Sequence, residues 1–139
     1  MATPIHLAHR PIVSVDDYAP HDGIYKNRTD AESLSVGNAQ YDGGEIAAKV
    51  FRRVNGRWSR QSEELPLHRV FDLGTVVLKS ILQSAGVPAP STALDVTLRA
   101  PARRAEIRDY YVKNRAELQP KLRELKCVLD YFMNEEPKL

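Results

Sequence analysis

The hydrophobic period of this 139-residue chain changes once, at Leu65-Pro66, and that change constrains the fold more than any other feature of the sequence. Before it, apolar and polar residues alternate, which is the pattern of a strand with two different faces. After it, apolar residues recur every three to four positions, as they do along one face of an amphipathic helix. The sequence therefore predicts an α+β fold in which an antiparallel sheet comes first and helices pack on it.

An antiparallel β-meander is predicted over residues 34–64. The alternation begins at Leu34 and is longest over residues 46–54, and Asn55-Gly56 follows directly. This dipeptide is the one best suited to a type I′ turn, so residues 57–62 are expected to return as the next strand. The apolar members of the central strand share one face and are Ile46, Ala48, Val50 and Val54. The opposite face carries Lys49, Phe51 and Arg53.

The chain is long enough to bury a core of its own, so we expect a single domain over residues 1–139. Residues 1–33 are predicted to form a strand followed by a long polar loop. The central amphipathic helix is predicted over residues 66–85, with a proline in its first turn and Gly86 as its C-terminal cap. A further strand is expected at residues 93–98, where apolar residues alternate again.

A C-terminal helical arm is predicted over residues 101–134, broken, kinked or restarted at Pro120. Its last part carries an apolar seam that would hold a dimer or pack on the protein's own sheet. The members of this seam are Leu122, Leu125, Leu129 and Phe132. The one cysteine, Cys127, excludes a disulfide within the chain and is expected to be a packed small hydrophobe.

Sequence signatures of catalysis are missing. No glycine-rich loop joins a strand to a helix where it would cradle a phosphate, and no G-x-S-x-G elbow is present. A metal site formed by His6 and His9 with acidic residues in 16–22 is supported only by their closeness in the sequence. Solvated polar side chains are the simpler interpretation. We therefore expect no enzymatic activity, no catalytic residue, no metal and no cofactor.

The sequence gives no sign of contact with a membrane. No apolar run approaches the roughly 18 residues that a membrane span needs. The first residues, MATPIHLAHRPIV, place Pro, His and Arg where a signal peptide keeps an unbroken apolar stretch. We expect a cytoplasmic protein, which would be the host cytoplasm if a phage encodes it.

Positive charge is concentrated in two stretches, although the net charge is only +2. Residues 45–60 hold five cationic side chains and one acid, and residues 99–126 hold nine and four. Arginine outnumbers lysine in both stretches, and its planar guanidinium suits phosphate oxygens and stacking on bases. A nearly neutral protein with focused arginines fits a small phosphate-bearing ligand better than a long nucleic acid.

The candidate ligand-binding residues are arginines at a helix start or in loops and turns near aromatic rings. They are Arg28, Arg57, Trp58, Arg103, Arg104 and Arg108. Arg104 and Arg108 are four residues apart at a predicted helix start, so they are expected to project from one face as a phosphate clamp. Trp58 would stack on a base, although packing in a core or interface is the commoner fate of a lone tryptophan. The alternative for the helix is a solvated face whose arginines pair with neighbouring acids.

The segment WSRQSEELPLHRVFDL, residues 58–73, resembles a family of small bacterial and prophage proteins, and the similarity runs over roughly residues 10–82. That family resembles the first Thoeris anti-defence sponge proteins of phages. The resemblance implies a protein that captures cyclic ADP-ribose signals or related cyclic nucleotides without cleaving them, and so blocks anti-phage defence. It also implies a homodimer or a hexamer.

The resemblance further implies that arginines from the loop, the hairpin and the C-terminal helix surround the ligand's phosphates. Arg28, Arg57 and the pair Arg104 and Arg108 stand at similar places in this sequence. The family's ring-stacking aromatic near the end of the middle helix is not matched, because Leu82 stands there. The residue that contacts the base is therefore left open.

Two alternatives keep the same fold. A dimeric meander followed by a helix also resembles single-strand-binding modules of the coactivator and Whirly type, at the level of topology and charge. In that case the meander's cations and tryptophan would track a nucleic-acid strand, namely Lys49, Arg53, Arg57, Trp58 and Arg60. The other alternative is a purely structural oligomer whose arginines are solvated.

Overall fold

The computed structural model describes all 139 residues, which divide into two compact units. Unit 1 comprises residues 1–78 and 91–96, and unit 2 comprises residues 79–90 and 97–139. The central helix therefore contributes its first part to unit 1 and its last part to unit 2. The single domain expected over residues 1–139 stays a prediction.

Unit 1 contains an antiparallel sheet of five strands. These are β1 (Arg10–Val15), β2 (Ala31–Asn38), β3 (Ile46–Val54), β4 (Arg57–Trp58) and β5 (Glu64–Pro66). The strands pair in the order β1-β2-β3-β4, and β5 also pairs with β3. The predicted α+β class and its antiparallel meander are confirmed, and the N-terminal strand joins the same sheet.

The hairpin between β3 and β4 has the predicted turn. Asn55 and Gly56 both have positive φ angles, of 51° and 75°, as a type I′ turn requires. The returning strand is shorter than the expected residues 57–62, since β4 ends at Trp58. Residues 59–63 leave the ladder as an irregular segment before β5.

One face of the sheet is buried, and it is the more polar one. Residues paired across β2 and β3 share a face, and on this one the pairs are Ser33 with Phe51, Ser35 with Lys49, and Gly37 with Ala47. All six residues are buried. The expected opposite-face residues Lys49 and Phe51 therefore point into the covered side of the sheet, where Phe51 is fully buried.

The other face of the sheet is apolar and largely open. Two cross-strand rows form it: Val13, Val36, Ala48 and Leu65 in one, and Val15, Leu34 and Val50 in the other. Val13 is 67% exposed and Val15 is 53% exposed. Within unit 1, only Val70 of the helix that follows lines the groove on this face, so the expectation that helices cover the sheet is not met there.

Three α-helices follow the sheet. They are α1 (Leu67–Ser84), α2 (Glu106–Lys113) and α3 (Arg115–Glu135), and a short 3₁₀ turn at Pro101–Arg103 precedes α2. The central helix matches the prediction closely, and Gly86 follows it with a φ of +72°. The break in the C-terminal arm falls at Asn114 rather than at Pro120, which lies inside α3.

The strand predicted at residues 93–98 is absent. A strand forms only where its backbone pairs with a neighbour, and this segment has a local alternative. The Leu94 backbone N–H donates to Thr92 Oγ1 at 3.2 Å, which is the turn that a threonine side chain offers in place of a ladder. Apolar alternation alone was therefore misleading here.

The apolar seam of α3 lies on the surface of unit 2. Leu125, Leu129 and Phe132 are 57%, 51% and 48% exposed. Cys127 is exposed as well, so the expectation that it packs as a small hydrophobe is wrong.

Gly37 is the position where β1 and β2 approach most closely. A Cβ there would lie 2.7 Å from the Cα of Pro11 and nearer still to the carbonyl oxygen of Arg10. Because those atoms are backbone, the strands must separate to accept a methyl group. We expect Gly37→Ala to lower the free energy of unfolding by about 1–3 kcal/mol, measured by urea denaturation.

Gly43→Ala is the matched control, since no atom lies within 4 Å of a Cβ at Gly43. We expect its stability to stay within about 0.5 kcal/mol of the wild type. Equal stability of the two variants would contradict the close approach of β1 and β2.

Candidate ligand-binding site

The β3–β4 hairpin brings an arginine and the tryptophan together. Arg53 and Trp58 are directly paired across the two strands, and the Arg53 guanidinium lies 5.5 Å from the centre of the Trp58 ring. The ring also packs edge-on against the buried Phe51, at 5.9 Å between centroids and 76° between planes. Trp58 is therefore anchored from below by an aromatic contact and flanked by a cation.

Three arginines in the hairpin and just after it have no acidic partner. The side chains of Arg57 and Arg60 make no hydrogen bond or ion pair, and the guanidinium of Arg53 donates only to the sulfur of Met1. Their charge is not neutralised by any carboxylate of the protein. This is the arrangement that attracts a phosphate or another anion.

Arg52, on the same strand, shows the opposite situation. Its guanidinium donates to both oxygens of Glu63 at 2.8 Å and to Asp30 Oδ1 at 2.5 Å. The hydrogen bond from Arg52 lowers the pKa of Glu63 to about 2, from an ordinary value of 4.5. Arg52 thus connects β3 to two neighbouring segments and is not available to a ligand.

A polar cleft adjoins the hairpin within unit 1. Its volume is about 250 Å³, and its lining residues are His6, Leu7, Ala8, His9, Gln40, Lys49, Ser59 and Arg60. Arg60 and Ser59 come directly after Trp58 in the chain, so the cleft begins where the hairpin ends. Its size suits a phosphate, a ribose or a base, and its wall offers cationic and amide groups.

Lys49 is the buried cation of this cleft. It is 4% exposed, its Nζ donates to the Ser62 carbonyl oxygen at 3.2 Å, and Nζ lies 5.5 Å from the centre of the Phe51 ring. Burial lowers the pKa of Lys49, and the carboxylates of Glu64 and Glu63 oppose that shift. Lys49 therefore presents a positive group at the wall of the cleft with little conformational freedom.

His9 fixes the other wall of the cleft. Its Nδ1 lies 2.7 Å from Glu64 Oε1, and its Nε2 lies 3.0 Å from Ser35 Oγ. The same carboxylate oxygen accepts the backbone N–H of Gln40 at 2.9 Å. A serine, a histidine and a carboxylate in this order resemble a hydrolase triad, but Ser35 is 4% exposed and its hydroxyl is not presented to a substrate.

The predicted site residues fall into separate places. Arg57 and Trp58 are neighbours in β4, but successive residues of a strand point to opposite faces. Trp58 lies on the face of Arg53, and Arg57, which is paired with Val54, lies on the other face at the edge of the hairpin. Arg28 is exposed in the loop before β2, where it donates to the Ile24 carbonyl oxygen at 3.0 Å. The remaining three, Arg103, Arg104 and Arg108, all lie in unit 2, near the end of α1 and the start of α2.

The unit 2 arginines are engaged with the protein itself. Arg103 forms a two-bond fork with Glu106 at 2.6 and 3.0 Å, and Arg108 donates to Asp109. Arg104 precedes α2 and donates to the carbonyl oxygen of Gln83 at 3.2 Å. Because α2 begins only at Glu106, Arg104 lies before the helix rather than on it with Arg108, and the phosphate clamp of the two stays a prediction.

Sequence reasoning missed the cleft because its walls come from four separate stretches of the chain. Gln40 and His9 carried no motif, and only the cationic count over residues 45–60 pointed to Lys49 and Arg60. The histidines considered as metal ligands do not gather: no group of three or more His, Cys, Asp or Glu side chains is placed to hold a metal ion.

The sequence matches the model of a family of unknown function, DUF6530, over residues 1–134. The chain belongs to that family. No curated protein and no solved structure matches it. The match covers both units of this DUF6530 member, including the hairpin, the cleft and the unit 2 arginines. None of its helices combines the length and apolarity that a membrane crossing requires.

The pairing of Arg52 with Glu63 makes stability in this DUF6530 protein depend on pH. The pKa of Glu63 is lower in the folded protein than in the unfolded chain, so the stabilisation is complete above about pH 4.5 and is lost as the pH falls to about 2. Both side chains are partly exposed, so we expect Arg52→Gln to cost about 1 kcal/mol at pH 6 and much less at pH 2.

The measurement is urea unfolding at both pH values, with Arg57→Gln as the control because Arg57 has no acidic partner. The control should differ from the wild type equally at pH 6 and pH 2. A loss for Arg52→Gln that is the same at both pH values would exclude the ion pair as its cause.

Proposed function

We propose that this DUF6530 protein is a non-enzymatic binder that sequesters a nucleotide of the cyclic ADP-ribose or cyclic oligonucleotide class. The observation that carries the proposal is the anchored ring of Trp58 beside Arg53, with Arg57 and Arg60 close by in the chain and none of the three paired with an acid. A nucleotide needs cations for its phosphates and a flat ring for its base, and the hairpin presents both. The resemblance of residues 58–73 to anti-defence sponge proteins supports the choice of a cyclic signal.

In this proposal each residue has a defined part. Arg53 holds a phosphate beside the Trp58 ring, and Arg57 reaches a phosphate from the other face at the edge of the hairpin. Trp58 stacks on the base, and Arg60 with Lys49 faces the polar part of the ligand in the adjoining cleft. Capture requires affinity and slow release rather than turnover, so an accessible nucleophile is not needed.

The proposal extends to Arg28 and the unit 2 arginines as further phosphate contacts. Arg103 and Arg108 are 72% and 48% exposed in their side chains, and exposed ion pairs stabilise a protein by only about 0–1 kcal/mol. A phosphodiester or pyrophosphate accepts the same two-bond fork as a carboxylate, so exchange of Glu106 or Asp109 for a ligand costs little.

The setting that we propose is the cytoplasm, the host's if a phage encodes the protein, where capture of the signal would block anti-phage defence. We also propose that the protein acts as a homodimer or a hexamer, as the same resemblance implies. No metal or cofactor takes part in this function.

The only tryptophan of the chain makes the binding test direct. Titration with cyclic ADP-ribose isomers and cyclic dinucleotides is expected to quench Trp58 fluorescence in a saturable way. Arg53→Gln with Arg57→Gln should weaken binding at least 100-fold, because each charge-assisted bond contributes about 1.5–3 kcal/mol. Heating the complex should release the ligand chemically intact.

The control is Arg99→Gln with Arg123→Gln, which removes the same charge from exposed arginines outside the hairpin. Its affinity should equal that of the wild type. Unchanged affinity in the hairpin variant would remove the proposed phosphate contacts, and ligand breakdown during incubation would show an enzyme instead.

Single-stranded nucleic acid is the second candidate, because the hairpin projects Arg57 on the surface where a strand could pass over Trp58. A short oligo-dT would then quench the fluorescence with a steep dependence on salt, whereas the cyclic nucleotides would not. Quenching by neither class would leave a purely structural oligomer.

A further inference from the structure

The open apolar face of the sheet and the apolar stripe of α1 lie in the same unit, and neither is fully covered there. The face consists of Val, Leu and Ala side chains, and it forms a shallow groove of about 430 Å³ that Lys49, Glu63 and Val70 of α1 also line. The stripe contains Leu67, Phe71 and Leu78, which are 36%, 70% and 41% exposed. A groove and a helix that would fill it are thus both present in each chain.

We propose that the groove is filled by α1 of a second copy of this chain, so that two copies exchange helices across a two-fold axis. This adds a contact surface to the homo-oligomer of the proposed function and rests on that part of it alone. In such an arrangement each α1 covers the partner's sheet while its own sheet receives the partner's α1. Phe71, the most exposed apolar side chain of the helix, is the anchor that enters the groove.

The dimensions of the two surfaces agree. The twelve residues of α1 in unit 1, 67–78, extend about 18 Å at 1.5 Å per residue. The four strands that form the face, β1, β2, β3 and β5, span about 14 Å between the outer strands at 4.8 Å per gap. One helix therefore crosses the whole face.

The apolar area that these two surfaces expose is close to the area that one partner buries in a stable interface. The apolar residues of both surfaces that are at least 36% exposed are Val13, Val15, Val36, Leu67, Val70, Phe71, Val77 and Leu78. Together they expose roughly 700 Å², whereas a stable interface buries about 800 Å² per partner and the largest patch of an ordinary monomer is about 300–600 Å².

Gly74 provides an independent observation. It lies on the stripe between Phe71 and Leu78, inside a helix, where glycine is less favourable than alanine by about 0.5–1 kcal/mol. No atom of the chain lies within 4 Å of a Cβ at Gly74, so nothing in the chain itself requires a glycine. A helix that lies closely on another backbone does require a small residue there.

Light scattering on a sizing column tests the assembly. The wild type should have a mass of at least twice 15.7 kDa, and its melting temperature should rise with protein concentration. Val36→Glu with Phe71→Glu should elute as a monomer. The control, Tyr41→Glu with Ile5→Glu, changes apolar residues that are 54% and 80% exposed outside these surfaces and should keep the wild-type mass.

A disulfide trap tests the contact even if the charged variant fails to fold. In a Cys127→Ser background, Val36→Cys with Phe71→Cys should oxidise to a covalent dimer, and neither single cysteine should do so. The proposal would be overturned by a monomeric wild type or by an assembly that survives the charged substitutions at Val36 and Phe71. It would equally be overturned by a disulfide within one chain, by no disulfide at all, or by equal cross-linking through a single cysteine. Ligand quenching of Trp58 is read separately, so failure here leaves that test intact.

Discussion

His9 makes a hydrogen bond through each ring nitrogen, to Glu64 and to Ser35, and packs edge-on against Phe51 at 5.5 Å. These contacts hold the segment before β1 on the polar face of the sheet, and the histidine is fully buried there. An imidazole in this position satisfies the buried Ser35 hydroxyl and gives the Glu64 carboxylate a second partner beside the Gln40 backbone N–H. This attachment decides which face of the sheet is covered, and the other features of unit 1 depend on that choice.

Two surfaces result from that choice. On the covered side, Lys49 and His9 form the wall of a polar cleft, and Arg53 and Trp58 of the hairpin continue from it. On the other side, the rows of valine and leucine stay open although burial there would be favourable by about 25 cal/mol per Å². The ring of Trp58 in the proposed ligand surface and the proposed dimer surface are therefore on opposite faces of one sheet.

The sequence predicted the order of strands and helices well, because the change of period at Leu65-Pro66 and the Asn55-Gly56 turn are local signals. It did not predict which face is covered, since period two separates the faces without stating what lies over each. The strand expected at 93–98 is absent for lack of a pairing neighbour, and α2 begins later than Pro101 suggested, which leaves Arg104 outside the helix. Of the proposed site, Arg57 and Trp58 were predicted from composition and turn chemistry. The cleft was not, because long-range contacts assemble it.

A double-mutant cycle on His9 and Glu64, measured by urea unfolding of His9→Ala, Glu64→Ala and the double variant, tests the central interaction most directly. The two side chains meet at 2.7 Å in a buried setting, so we predict that the losses are non-additive by at least about 1 kcal/mol. Losses that add to within about 0.3–0.5 kcal/mol would contradict the account, because independent sites behave that way.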